Sequence, residues 1–434
     1  RRERISAEIA RAAAEAGGKA RVEPALLEEV NCLVEWPRAI LCSFEPEFLR
    51  VPQEALVSTM EANQKFFPVL DAAGKLTEKF IGIANIESKD PAEIRKGYER
   101  VIRPRFADAK FFFDEDLKQP LDAWMTGLAT VTFQQKLGSY ADRAARVARL
   151  AGIIAETLGA DSLKANRAAS LAKCDLLSRM VGEFPELQGK MGRHYALASG
   201  DDADVANAID EAYAPRFSGD AIAASPLGRL LAVADRLDTI AGGFAAGLKP
   251  SGNKDPFALR RNALGLARTI IEGELELELP ALVAAAAKNL PAGLALDQRE
   301  LLDFILDRLR AYYADQNVPG LQFEAVAEVH PASLLDFDRR LKAIAEFARL
   351  RESGALAAAN KRIRNILRKV ESSIPPVVDA SLLAEPAEQV LHDALVSALA
   401  DTDPLLAQRD YVGTLKRLAA LQAPVDNFFE RTLV

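Results

Sequence analysis

Residues 360–370 read Asn360-Lys361-Arg362-Ile363-Arg364-Asn365-Ile366-Leu367-Arg368-Lys369-Val370. At helical spacing, Ile363, Ile366, Leu367 and Val370 fall on one stripe. Lys361, Arg364 and Arg368 stack on the opposite side, flanked by Arg362 and Lys369. The spacing predicts an amphipathic helix with one face to bury and a cationic face for a negative partner. Working outward, residues 339–370 hold ten Lys/Arg against two Asp/Glu, whereas the whole chain carries a net charge of −7. A basic helix in an acidic protein is a local feature, and local positive charge suits a phosphate backbone. A solvated helix face has the same pattern, and on this stretch alone that plainer reading comes first.

The 434 residues suit about three domains of ordinary size. Apolar residues make up 49% and aromatics only 7%, and alanine is abundant, a mix that favours helices. Cys32, Cys42 and Cys174 lack CxxC spacing and cannot all pair, which fits a reducing compartment. No run approaches the length needed to span a membrane. The chain opens at Arg1 without Met, and Val425, Phe428, Phe429 and Leu433 still trace an apolar face near its end. Both ends are therefore expected to continue in a longer protein.

Residues 1–20 read as a charged helix ending at Gly17-Gly18. Convincing strands fall only within 21–135: Ala39–Phe44, and Lys65–Leu70 with Lys79–Ile86 flanking a hairpin loop at 71–75. Residues 136–290 read as helices broken at Gly159, Pro185, Pro215, Pro226 and 249–255. Asp255 and Pro256 predict a helix start, with a capping carboxylate and then proline at the first position. Residues 297–434 read as helices broken at Pro375-Pro376 and Pro404. The expected fold class is mainly α and multidomain, with a small α/β region at 1–135.

Catalytic motifs are largely missing. Gly182 to Gly189-Lys190 has the wrong spacing for a phosphate-binding loop, and Met191 stands where Ser/Thr is needed. The three histidines, His194, His330 and His392, are too dispersed for an imidazole-rich metal site.

Residues 136–290 nevertheless resemble an HD domain, the helical fold of metal-dependent phosphohydrolases, in which a His, a His-Asp pair and a later Asp hold metal ions. Here Arg143 occupies the first position, Cys174-Asp175 the pair, and Asp235 the last. Both carboxylates persist and both imidazoles are gone. The resemblance implies a degenerate domain with no catalytic or metal-binding residues, its aspartates capping helices or pairing with arginines.

A broader resemblance covers nearly the whole length. It rests on Leu33-Val-Glu-Trp-Pro37, Val51-Pro-x-Glu-Ala-Leu56, Gln64-Lys-Phe-Phe-Pro68, Ala84-Asn-Ile-Glu-Ser88 and Arg103-Pro-Arg-Phe-Ala-Asp-Ala-Lys-Phe-Phe112. It continues through Gln188-Gly189-x-Met191-Gly192-x-His194-Tyr195-Ala196, Tyr213-x-Pro215-Arg216-Phe217, Lys254-Asp-Pro-Phe-Ala-Leu-Arg-Arg261, Ala358-Ala-Asn-Lys-Arg362 and Val425-Asp426-x-Phe428-Phe429. In these strings the chain resembles the β subunit of bacterial tetrameric glycyl-tRNA synthetase. Ala62-Asn63 departs from what often precedes Gln64 in that family.

The resemblance implies an internal fragment of a ligase subunit that binds glycine tRNA. The α subunit would carry the class II active site and use ATP and Mg to form glycyl-adenylate, leaving no cofactor to this chain. An α2β2 assembly in the cytoplasm is the family's arrangement. The implied domains are the α/β region at 1–135, the degenerate HD-like domain at 136–290, a helical linker at 291–337, and a truncated anticodon-binding domain at 338–434 of the type shared with arginyl-tRNA synthetase. In that last domain, Asn360, Lys361, Arg362, Arg364, Arg368 and Lys369 are the candidate tRNA contacts. Arg193, His194, Arg216, Arg260 and Arg261 are weaker candidates in the HD-like region, nearer the acceptor arm. Asn365 and Phe347 could add base contacts, although Leu341, Ile344 and Ala348 place Phe347 on an apolar face. The competing readings are an HD-family phosphohydrolase, which lacks its ligand histidines, and a purely structural helical scaffold.

Overall fold

The computed structural model describes residues 1–351, 353–369 and 377–432. Val370, the Pro375-Pro376 break and Leu433 lie outside the described residues. The chain is mainly helical and divides into two compact units, Arg1–Asp238 with Asn289–Ala292, and Thr239–Lys288 with Gly293–Val434. These joints do not coincide with the expected boundaries at 135/136, 290/291 and 337/338. Among the described residues no helix is long and apolar enough to cross a membrane.

The first unit begins with a four-stranded antiparallel sheet. Its strands are β1 (Lys19–Ala20), β2 (Arg38–Ser43), β3 (Phe67–Leu70) and β4 (Leu76–Ala84), in the order β1-β3-β4-β2. The three expected strands are present with shifted ends. The hairpin closes where Leu70 faces Leu76. Asp71 organises its loop by accepting from the Ala73 and Lys75 N–H groups at 2.8 and 2.9 Å, and Gly74 supplies a φ of +77°.

Helix Arg2–Glu15 places Ile5, Ile9, Ala12 and Ala13 on one face. That face packs with Leu26, Leu27 and Val30 and with Phe67, Val69 and Ile81 of the sheet. The chain then turns at Gly17 and enters β1. The sequence pattern missed β1 because two residues cannot display a strand's alternation.

Helix Pro91–Asp116 starts on the Asp90 carboxylate, which accepts from the Ala92 N–H at 3.0 Å. Phe106 is fully buried against the edge of Phe44. The next long helix, Tyr140–Leu158, opens with a Ser139–Asp142 capping box and ends at Gly159 with φ +66°, the helix break that the sequence predicts.

The second unit contains helices Leu259–Glu272, Leu279–Lys288, Gln298–Asp315, Gly320–Ala327, Leu334–Ala348, Ser353–Leu367, Pro386–Ala407, Tyr411–Ala419 and Gln422–Arg431. Tyr313, Phe323 and Phe337 form its aromatic core. Two expectations are corrected. The helix expected to start at Pro256 begins at Leu259, after Ala258 turns at φ +51°. Asp255 still serves as the cap, accepting from the Leu259 and Arg260 N–H groups. Pro404 does not break helix Pro386–Ala407, which continues one turn further. So close to the helix end, the proline ring removes one ladder bond and leaves little helix to disrupt.

Candidate functional site

The residues at the HD-like positions form a closed, charged centre. Arg143 projects from helix Tyr140–Leu158 and places its Nη2 3.0 Å from each oxygen of Asp235. Lys173 Nζ lies 3.5 Å from the same carboxylate. Burial opposes ionisation of Asp235, but Arg143, Lys173 and Arg236 outweigh it and hold the carboxyl below its usual range. Burial also pulls the Lys173 ammonium down to about 8, against the pull of Asp235. One turn along, Arg146 grips Asp238 at 2.7 and 3.1 Å, with both side chains buried. Aromatic faces complete the setting: Phe133 lies 4.4 Å from the Arg143 guanidinium carbon, and Tyr213 lies 3.8 Å from Lys173 Nζ.

The Cys174-Asp175 pair points to structure as well. The Cys174 Sγ lies 3.6 Å from the Ser170 carbonyl oxygen, and burial pushes its thiol up to about 12, so it stays neutral. Asp175 is fully buried, and burial raises its carboxyl to about 6. Its Oδ2 accepts from the Gly189 and Gly192 N–H groups at 2.6 and 2.9 Å, at the start of helix Lys190–Ala198. Gly189 has φ +83°, and a Cβ there would lie 2.6 Å from the Tyr213 ring.

A hydrolytic metal centre would need neutral or anionic ligands at these four positions. A guanidinium and a protonated thiol stand in two of them, and Lys173 adds a second cation. The residues do not fit a metal ion. Among the described residues, no group of three or more His, Cys, Asp or Glu could hold one.

The structure brings together Arg193, His194 and Arg216 from the weaker set. Arg193 reaches Glu54 at 2.6 Å and Asp210 at 3.2 Å, and Arg216 meets Asp210 at 2.6 Å. His194 Nε2 is 3.1 Å from Glu54 Oε2. Burial would raise Glu54, but the His194 hydrogen bond and the nearby charges bring its carboxyl down to about 2. These three half-buried side chains thus face carboxylates of their own chain. Arg260 donates to the Gly252 carbonyl at 2.8 Å, whereas Arg261 is exposed and makes no ion pair among the described residues. Glu54 and Lys173 were missed by sequence reasoning. Lys173 is the neighbour of the Cys-Asp pair, but Glu54 lies 140 residues from His194 and carries no local signal.

The basic stretch behaves differently. Its helix spans Ser353–Leu367, so Arg368 and Lys369 fall in the turn that follows. The expected buried stripe is only partly covered: Ile363 and Ile366 are half-buried and Leu367 is 47% exposed, while Ala359 is buried. Phe347, on the preceding helix, is half-buried.

Arg362 lies over the Phe429 ring at 3.9 Å, tying the helix to Gln422–Arg431. Arg368 donates to Asn365 Oδ1 at 2.8 Å. Lys361, Arg364 and Lys369 are exposed and make no ion pair among the described residues. Asn360, Lys361, Arg364, Asn365 and Arg368 line a groove of about 600 Å³. Lys361 and Arg364 line it with no ion pair among the described residues, and the amides of Asn360 and Asn365 offer donor and acceptor groups beside them.

A family model described as "Glycyl-tRNA synthetase beta subunit" matches residues 1–328. Similar curated proteins align over 100% of the chain. One from Xanthomonas campestris pv. campestris (strain 8004) is 62% identical, with 63% of its length covered. One from Xylella fastidiosa (strain M12) is 56% identical and one from Pseudomonas aeruginosa (strain LESB58) 50%, each with 64% of its length covered. All three are named glycine–tRNA ligase beta subunit. The chain therefore spans less than two thirds of the length of the curated relatives it matches.

Proposed function

The chain belongs to the glycyl-tRNA synthetase beta subunit family, and from that premise we propose that it is the tRNA-binding, non-adenylating part of a glycine–tRNA ligase. In this reading an α subunit activates glycine with ATP and Mg in the cytoplasm, and the present chain holds glycine tRNA for charging within an α2β2 assembly. Residues 338–434 serve as the anticodon-binding region, and the HD-like residues lie nearer the acceptor arm.

The observation that carries this reading is the set of exposed cations Lys361, Arg364 and Lys369, which have no ion pair among the described residues of a chain with net charge −7. A polyanion supplies the missing counter-charge. Asn360 and Asn365 add groups able to meet the edges of unstacked bases. The closed Arg143–Asp235 centre gives a phosphohydrolase reading no support.

Titration of the chain with glycine tRNA and with a mismatched tRNA over a range of salt tests the proposal. The expected result is tighter binding of glycine tRNA and a steep fall in affinity with salt. Equal affinities with a shallow salt slope would overturn it.

A further inference from the structure

The four-stranded sheet of the first unit has two outer strands. An outer strand turns a row of N–H and C=O groups sideways, where another chain can pair with them. At one edge, β1 offers little to pair with, because it is two residues long. At the other edge, β2 has six residues and no such protection.

The direction of its backbone groups follows from the ladder. The Phe44 N–H donates to the Glu78 carbonyl, just beyond the end of β2, at 3.0 Å. In an antiparallel pair the residues alternate between facing the partner strand and facing away. Counting back from Phe44, Cys42 and Ile40 face β4, whereas Ser43, Leu41 and Ala39 turn outward.

Three of these outward groups meet charged side chains. The Ala39 N–H donates to Glu8 Oε2 at 2.7 Å, and the Ser43 N–H donates to Glu99 Oε1 at 2.9 Å. The Leu41 carbonyl accepts from Arg95 Nε at 2.8 Å. Each donor has found a carboxylate, and the acceptor has found a guanidinium.

The side chains come from helices on both faces of the sheet. Glu8 belongs to helix Arg2–Glu15, whose core takes in Ala39 and Leu41. Arg95 and Glu99 lie one turn apart on helix Pro91–Asp116, which packs against the other face through Phe106 and Phe44. Arg38 Nη1 holds Glu8 from the side at 3.2 Å, and Ser43 Oγ donates to Glu99 Oε1 at 3.2 Å. Hydrogen bonds to an ionised partner are roughly twice as strong as those between neutral groups. A second strand would therefore exchange strong bonds for weaker ones, and would leave charged groups without these partners.

We propose that Glu8, Arg95 and Glu99 close this edge, and that without them β2 pairs with the β2 of a second copy of this chain. The inference is independent of the RNA-binding role proposed above.

The test uses the whole chain, sedimented over a range of concentrations. Arg95→Ala with Glu99→Ala is compared with the unaltered chain and with Glu93→Ala/Lys96→Ala, which removes an exposed ion pair from the same helix. Both variants leave the net charge as it was. The first is expected to gain mass with concentration, toward a dimer or beyond, while the second follows the unaltered chain. Adding Ser43→Pro to the first removes an outward N–H and spares the ladder, so it should restore the unaltered profile. Glu99→Ala alone gives the same readout should the pair of changes unfold the chain.

A folded Arg95→Ala/Glu99→Ala variant that matches the unaltered chain at every concentration overturns the proposal. So does equal self-association of Glu93→Ala/Lys96→Ala, which shows a general effect of lost surface charge. Association that Ser43→Pro leaves in place shows a contact elsewhere and overturns it as well.

Discussion

Arg143 and Lys173 in the first unit and Lys361, Arg364 and Lys369 in the second are cations of the same chemical kinds in opposite circumstances. The first two are buried against Asp235. The other three lie on the surface with no ion pair among the described residues. Where carboxylates answer the cations, removing one partner exposes the fold to an unpaired buried charge. Where no carboxylate among the described residues answers them, the cations contribute little to stability and remain available to an external anion. The comparison separates residues that maintain the protein from residues able to bind for it, a distinction that counting arginines along a sequence cannot make.

The largest effect is expected at the closed centre. Arg143→Ala leaves the half-buried Asp235 with Lys173 still at 3.5 Å, so the loss should be on the order of 3 kcal/mol, the low end for breaking a buried pair. Denaturant unfolding should show that loss, and an unchanged midpoint would break the comparison from the structural side.

Glu54 should come next. Its carboxyl is depressed to about 2 from an ordinary 4.5, so its contribution is fully present above the ordinary value and is lost as pH falls toward 2. Glu54→Gln should flatten that part of the stability–pH curve, removing a pH-dependent contribution on the order of 2–3 kcal/mol. An acid limb identical to that of the unaltered chain would exclude the Glu54 network as its source.

Arg362 sharpens the boundary between the two kinds of cation, because it belongs to the basic stretch yet lies on Phe429. Arg362→Ala should cost about 0.5–1 kcal/mol of stability through the lost cation–ring contact. Lys361→Ala in the same helix should leave the thermal midpoint in place. Equal midpoint shifts for both would show that stacking on Phe429 gives Arg362 no separate role.

Much of the local architecture was legible because local chemistry determines it. Asp71 and Gly74 announced the hairpin, and Gly159 the end of its helix. The resemblance to an HD domain placed Arg143 and Asp235 at positions of one centre, and in the folded chain they pair with each other. Other features depend on residues that meet only in the folded chain: Glu54 gathers Arg193 and His194 from 140 residues away. The Asp255-Pro256 signal was right about the cap and wrong about the start, because Ala258 turns the chain left-handed before the helix begins. Pattern also overstated the burial of Ile363, Ile366 and Leu367, since an apolar stripe indicates a face suited to burial without indicating how much of it a neighbour covers.

The most direct measurement is the dependence of glycine-tRNA affinity on salt for the unaltered chain and for Lys361→Ala/Arg364→Ala/Lys369→Ala. If those three cations contact phosphates, the log–log slope should become shallower by about two, with no loss of thermal stability. An unchanged slope and affinity would contradict the assignment of these cations to RNA.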